Sequence, residues 1–371
     1  MNKKENNSLV NNNRKLSIKE FKDRKIILSS FPRSLFIELT RNCNLQCTMC
    51  RDDTTNYDPH RNMPFSLFKK IAHQLFPYAE YIDLRGYGES LILPDFDKFA
   101  NYASNFAAQL KLITNFNIYN DRIIKYLAKK DFMIGVSFDG GSKKTFEKIR
   151  KNAKFETVLH NIKLFKTFSK RYKKKGLLYF QIVMQPANLN ELPLILDIAL
   201  KLNVDRIKLF SICKSPEDTR KLFYLKDSIK QIFNNISHLS RKNNQILELC
   251  SSVHKDLTIR DLTQKRCIHP WMYCSVDYAG RVSYCDHLIG ESEKKYVFLG
   301  NLYETNFNRI WNNKKAQLAR NAHNICSNGF IRIVEHCNWC YKRRYIDLEN
   351  LFYPSYSRYV VSNQTRNQLY I

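Results

Sequence analysis

Long apolar runs are missing from this 371-residue chain. None is long enough to span a bilayer. The N-terminal residues, Met1 to Asn7, also lack the apolar stretch of a signal peptide. Both absences lead to the expectation of a cytoplasmic protein with no membrane partner. In that reducing compartment the 11 cysteines serve as ligands or free thiols rather than as a disulfide frame. Acidic side chains are scarce, with 34 Asp+Glu against 61 Lys+Arg and a formal net charge of +27. An excess of that size can mark a nucleic-acid partner. The chain, however, has no RNA-binding motif and no helix-turn-helix pattern. Its lysines are spread out, as in Lys69-Lys70, Lys173 to Lys175 and Lys294-Lys295. The expectation is lysines on solvated helix faces and no nucleic-acid partner; an acidic peptide or a phosphorylated substrate would also suit the charge. No short-period repeat is present.

The most informative feature is the loop Arg41-Asn42-Cys43-Asn44-Leu45-Gln46-Cys47-Thr48-Met49-Cys50. It follows the apolar run Leu35 to Leu39, which reads as a strand. Zinc ribbons use C-x2-C pairs with a second pair completing four ligands. Here three cysteines with unequal gaps share one loop, and the next cysteine is Cys213. Three thiolates on a four-iron cubane leave one iron open for a substrate or cofactor. Ligands at the C-terminal end of a first barrel strand lie where β/α barrels keep their active sites.

Downstream, apolar runs alternate with helix-period segments. The runs are Tyr81 to Leu84, Leu110 to Ile113, Met133 to Phe138, Tyr179 to Met184 and Arg206 to Phe210. Pro64 to Phe76 places Leu67, Ile71 and Leu75 on one face, with Pro64 suited to the first turn. Asp121 to Lys129 and Lys143 to Lys170 read similarly. Six strands alternating with helices predict parallel βαβ units with right-handed crossovers. A full barrel needs eight strands, so the expected fold class is α/β, a partial, open (β/α)6 barrel. A small Cys-rich domain follows it. The expected boundaries are a polar N-terminal arm over 1–33 (mobile, or a short helix), the core over 34–215, a helical connector over 216–265, the Cys-rich module over 266–342 and a basic, aromatic tail over 343–371.

These residues resemble those of a radical S-adenosylmethionine (SAM) enzyme, and the resemblance covers about residues 33 to 342. It implies that Cys43, Cys47 and Cys50 hold three irons of a [4Fe-4S] cluster and that SAM binds the fourth. Gly86-Tyr87-Gly88-Glu89 resembles the family's Gly-Gly-Glu motif, which receives the SAM amino group: glycine lets the backbone approach, and a carboxylate pairs with an ammonium. The chain departs from the motif at Tyr87, while Gly88 and Glu89 keep their places. Thr114 and Asn115 match the family's Thr-Asn pair. Ser137 and Asp139 match its Ser-x-Asp-Gly and imply ribose contacts; the competing reading is a strand-end turn capping the next helix. Met184 and Asn188 fall near the implied adenine position. Arg85 and Tyr87 end the second strand; one reading has them face a substrate, and the arginine equally suits a SAM carboxylate or a loop-stabilising role.

The second module resembles the SPASM/Twitch auxiliary-cluster class. Cys267, Cys285, Cys337 and Cys340, with Gly280 at a turn, imply a second, fully ligated [4Fe-4S] cluster. A zinc knuckle of the same four remains open. Cys274 and Cys326 read as ordinary small apolar side chains. The leading implied reaction is a two-electron oxidation of a small sugar- or cyclitol-like metabolite, with the auxiliary cluster accepting an electron. A flavodoxin or ferredoxin would be the electron donor. Three other readings stand beside it: an epimerase using Cys213 as hydrogen donor, a maturase acting on a ribosomally made peptide, and a non-enzymatic electron carrier. The first 33 residues read as too short for a leader-binding domain.

Overall fold

The computed structural model describes residues 3–50, 57–174, 177–211, 231, 246–249, 267–288, 298–324 and 359–360. These fall into two compact units. One is built from 3–44, 57–113, 267–288 and 298–324, the other from 45–50, 114–174, 177–211, 246–249 and 359–360.

The first unit opens on helix α1 (Lys3–Lys22), where sequence polarity predicts a mobile arm or a short helix. The polar side chains explain the difference, because they bond to backbone. Asn13 Nδ2 donates to the carbonyls of Phe31 and Tyr78. The Glu20 carboxylate accepts from the amides of Ser29 and Ser30 and from the Ser30 hydroxyl. Next come β1 (Ser34–Ile37), α2 (Phe65–Leu75), β2 (Tyr81–Asp83), α3 (Phe96–Ala103) and β3 (Gln109–Thr114). On α2 the predicted Leu67, Ile71 and Leu75 are buried, together with Phe68 and Ala72; Pro64 stands at the N-cap rather than inside the first turn. Strands β1, β2 and β3 run parallel.

In the second unit lie α4 (Asp121–Lys129), β4 (Met133–Ser137), α5 (Lys143–Ile149), α6 (Phe155–Arg171), β5 (Leu178–Met184), α7 (Leu192–Lys201), β6 (Arg206–Ser211) and β7 (Ile246–Leu249). β4, β5, β6 and β7 are parallel neighbours in that order. Ile246–Leu249, within the stretch expected to be a helical connector, is therefore strand; apart from residue 231, the rest of 216–265 and most of the tail lie outside the described residues. The periodic segment from Lys143 to Lys170 is two helices, not one. The chain leaves α5 at Arg150, and Asn152 adopts a left-handed φ of 72°. That break frees the carbonyls of Ile149 and Lys151, which accept from the amides of Thr48 and Gln46.

Parallel sheets are ordinarily apolar on both faces. Here one face is apolar: the rows Leu35–Ile82–Leu110 and Val136–Phe180–Ile207 are buried. The alternating rows of the other face carry Phe36–Asp83–Lys111 in the first unit and Ser137–Gln181–Lys208 in the second. Apart from Phe36, the side chains of these rows are polar, within the first unit as within the second.

The Cys-rich segment completes the first unit with α8 (His269–Met272), β8 (Tyr273–Val276), β9 (Arg281–Ser283), β10 (Gly300–Asn301), α9 (Phe307–Trp311) and α10 (Lys314–Asn324). β8 extends the sheet by pairing parallel with β1, Leu35 beside Cys274. Gly280, at φ 78°, makes the turn into β9; the Asp277 carboxylate accepts from the amides of Ala279 and Arg281 there.

Asn161 offers a test of how α6 holds the segment that follows β3. Its buried amide donates to the carbonyls of Phe116 (2.9 Å) and Ile118 (2.8 Å), and Phe116 sits at φ 56°. Asn161→Ala is expected to lower stability by about 1–3 kcal/mol, seen as a lower denaturant midpoint with an unchanged slope.

Candidate metal centre and cofactor site

The approach to the first cysteine is tied down before Cys43 is reached. The Asn42 amide nitrogen of the side chain donates to Thr40 Oγ1 (3.2 Å), the Asp58 carbonyl (2.8 Å) and Asn62 Oδ1 (2.9 Å). Its Oδ1 accepts from the Asp58 amide at 2.9 Å. Glu38, one residue past β1, is buried. Its carboxylate accepts from the Tyr87 amide (2.9 Å) and from Arg41 Nη2 (3.1 Å). Burial pushes the Glu38 carboxyl above the usual carboxylate range, against the pull of the Arg41 charge.

Gly88 shows why its position needs glycine. A Cβ built there would lie 2.3 Å from the Asn42 carbonyl oxygen and 2.5 Å from that of Thr40. The next amide, of Glu89, donates to the Asn42 carbonyl at 2.8 Å. The Gly-Glu motif is thus laid directly on the backbone preceding Cys43. Glu89 is buried, and its Oε1 accepts from the Leu91 amide at 3.1 Å, capping a short 3-10 turn. Tyr87, the departure from the family motif, has its own partners. Its ring lies 5.7 Å from the Arg41 guanidinium, which also lies 5.4 Å from the Tyr278 ring. Its hydroxyl donates to the Asp286 carbonyl at 3.0 Å. A glycine there could not join the end of β2 to the turn after Cys285. Arg85 pairs with Asp83 at 3.1 Å and lies over the Phe36 ring.

In the second unit, the Cys50 amide donates to the Cys47 carbonyl at 3.0 Å, forming a tight turn. Arg150 Nη1 donates to Cys47 Sγ at 3.7 Å, and Nη2 lies 2.5 Å from Asp139 Oδ2. Burial pushes the Cys47 thiol up, and the Arg150 charge opposes this. Asp139 is fully buried. Its Oδ1 accepts from the Val183 amide at 2.6 Å, and its carbonyl accepts from Asn188 Nδ2 at 3.0 Å. The helix-cap reading is not met, because Ser142 caps α5; the Asp139 carboxylate is engaged by Arg150 and β5. Asn188 likewise bonds to backbone around Val183 and Gln185. Thr114 Oγ1 accepts from the Phe116 amide and Asn115 Oδ1 from that of Asn117, so both shape the turn after β3. Ser137, half-buried, lies on the polar face beside Gln181.

Cys267 and Cys285 are buried in the first unit, and Cys285 Sγ lies 3.7 Å from Asp286 Oδ1. Cys274 is buried against β1, and burial pushes its thiol pKa well up, as expected of an ordinary apolar side chain. Cys213, Cys326, Cys337 and Cys340 lie outside the described residues. Among the described residues no three His, Cys, Asp or Glu side chains are gathered as a preformed metal site. The donor chemistry nonetheless fits iron–sulfur clusters: thiols in both segments, a guanidinium at one sulfur, and a glycine cradle beside the first cysteine. Sequence reading missed Glu38, Asn42 and Arg150. Glu38 alone left a signal, a charge inside an apolar strand run.

Residues 37–199 match the radical SAM superfamily model, and residues 267–341 match that of the SPASM iron-sulfur cluster-binding domain. The chain belongs to the radical SAM superfamily and carries a SPASM domain C-terminal to the core. It is a radical SAM enzyme whose cofactors are [4Fe-4S] clusters and SAM. Among curated proteins it is similar to the AdoMet-dependent heme synthase of Methanosarcina barkeri, 23% identical over 315 residues, covering 78% of this chain and 84% of that one. Among solved structures, Streptococcus suis SuiB bound to SAM aligns with TM-score 0.61 and 16% identity, over 82% of this chain and 71% of that one. anSMEcpe with bound AdoMet aligns with TM-score 0.57 and 18% identity, over 77% and 78%. These likenesses show the fold. No helix among the described residues is long and apolar enough to cross a membrane.

The Gly88 contact is testable without a substrate. Gly88→Ala has no room beside the Thr40 and Asn42 carbonyls. It is expected to weaken SAM binding at least tenfold in calorimetry of the iron-loaded protein; wild-type affinity would contradict the packing.

Proposed function

We propose that the chain uses Cys43, Cys47 and Cys50 to hold the SAM-cleaving cluster and modifies a peptide by hydrogen-atom abstraction followed by loss of one electron, to the second cluster, and one proton, a two-electron oxidation overall. The observation that carries the first half is the backbone of Gly88-Glu89 lying on the carbonyls of Thr40 and Asn42, next to Cys43. A SAM motif and a cysteine loop built as one piece suit a ligand held at an open iron. When bound and reduced, the first cluster supplies the electron that splits SAM into methionine and a 5′-deoxyadenosyl radical, and the second supplies an electron acceptor. The residues of the chain orient and exclude water. In this reading Glu89 receives the SAM ammonium and Ser137 meets its ribose, while Thr114 and Asn115 shape the turn that follows β3. Cys267 and Cys285, with Cys337 and Cys340, are the proposed ligands of the second cluster. The proposed domain limits are 34–215 for the core and 266–342 for the auxiliary module, and β8 of the latter is built into the sheet beside β1.

The peptide reading now stands ahead of the sugar or cyclitol reading. SuiB is recorded with its precursor peptide SuiA at TM-score 0.62, and anSMEcpe with the peptide Cp18Cys at TM-score 0.55. The net charge of +27 suits an acidic peptide; in the first unit Lys111 lies beside Asp83 across β2 and β3, and Arg85, past the end of β2, pairs with Asp83. A flavodoxin or ferredoxin is the proposed reductant.

Reduced, iron-loaded protein given SAM is expected to release 5′-deoxyadenosine. The Cys43→Ala/Cys47→Ala/Cys50→Ala variant should release none, and equal release by both would sink the assignment. Substrate class is read by the same assay: a precursor peptide should raise 5′-deoxyadenosine formation several-fold and change mass by two hydrogens. Stimulation by an aminocyclitol alcohol instead would restore the small-molecule reading.

A further inference from the structure

We infer that Arg150 is a positioning residue for the SAM-cleaving cluster, donating a charge-assisted hydrogen bond to the Cys47 sulfur that favours the reduced cluster. This rests on the proposed reading of Cys47 as a ligand. The guanidinium is buried, with Nη1 3.7 Å from Cys47 Sγ and Nη2 2.5 Å from Asp139 Oδ2. Asp139 is itself fixed by the Val183 amide at 2.6 Å and, through its carbonyl, by Asn188. Arg150 is therefore held from β4 and β5 in one orientation, one arm committed to a carboxylate and the other aimed at sulfur.

The backbone separates this role from simple anchoring. On either side of Cys47, the Gln46 amide donates to the Lys151 carbonyl (3.1 Å) and the Thr48 amide to the Ile149 carbonyl (2.9 Å). Those bonds already dock the cysteine loop on the turn after α5, and they need no side chain from Arg150. What the guanidinium adds is a cationic N–H donor at the ligand sulfur. Hydrogen bonds and positive charge at cluster sulfurs stabilise the electron-richer state and raise the reduction potential. Asp139 does two things. It orients the donor, and it balances part of the charge, so the buried cation is tolerated.

The experiment is a redox titration of the anaerobically reconstituted full chain, following the EPR signal that changes on SAM addition. Arg150→Gln is expected to lower the ratio of reduced to oxidised first cluster about tenfold at a fixed potential, ~59 mV for one electron. An unchanged potential in an iron-replete Arg150→Gln protein would overturn the inference. A second measurement needs no variant: with arginine labelled by 15N in the guanidinium, pulsed EPR of the reduced wild-type cluster should show a 15N coupling, and its absence would equally overturn it. Failure of the underlying reading looks different, since Cys47→Ala would then keep the SAM-responsive signal.

Discussion

The Asn42 side chain binds Thr40, the Asp58 backbone and Asn62, while the backbone carbonyl of Asn42 accepts from the Glu89 amide. A short polar side chain can satisfy several backbone groups at once where a regular ladder has ended. Here that ability fixes the path from β1 into the cysteine loop, and it sets the surface on which Gly88 rests. The tight fit of glycine follows from it: two carbonyl oxygens already occupy the space a Cβ would need. The cysteine loop is thus prepared by hydrogen bonds between protein groups, and metal ligation acts on a loop whose entry is already placed.

The second feature is charge held at the strand ends. Glu38 with Arg41, and Asp139 with Arg150, are buried ion pairs. Burial of such pairs is costly and gives little net stability. What it does give is fixed direction. Arg41 is stacked on Tyr87 and Tyr278, and Arg150 is aimed at Cys47. Tyr87 then connects the Gly-Glu segment to the turn that follows Cys285. The position where the family pattern places glycine has here become a tie between the SAM motif and the auxiliary-cysteine segment of the same unit.

Much of the architecture was legible in the sequence. The six apolar runs became β1 to β6 with ends shifted by a residue or so, because period-two burial and short apolar length are local properties of the chain. Asp121–Lys129 emerged as predicted, since Asn120 caps it and its apolar face is continuous. The continuous helix from Lys143 to Lys170 did not. Its periodicity runs on through Arg150, but the carbonyls there are taken by the cysteine loop, a partner distant in sequence. The N-terminal arm misled for a similar reason: Asn13 and Glu20 look like solvent-facing residues until the backbone they cap is folded beside them.

The sequence by itself determined the chemistry. Thiol spacing, the Gly-Glu dipeptide after a strand and the second set of cysteines are patterns of residue type, and donor atoms carry their reactivity wherever the chain puts them. Only the tertiary structure decided which polar groups serve those donors. Asp139 could cap the next helix on paper, yet folding buries it against Arg150 and the Val183 amide. Tyr87 could face a substrate, yet it reaches Asp286. Such assignments depend on pairs separated by many residues, and a buried charge or hydroxyl takes whichever partner the fold brings within about 3 Å.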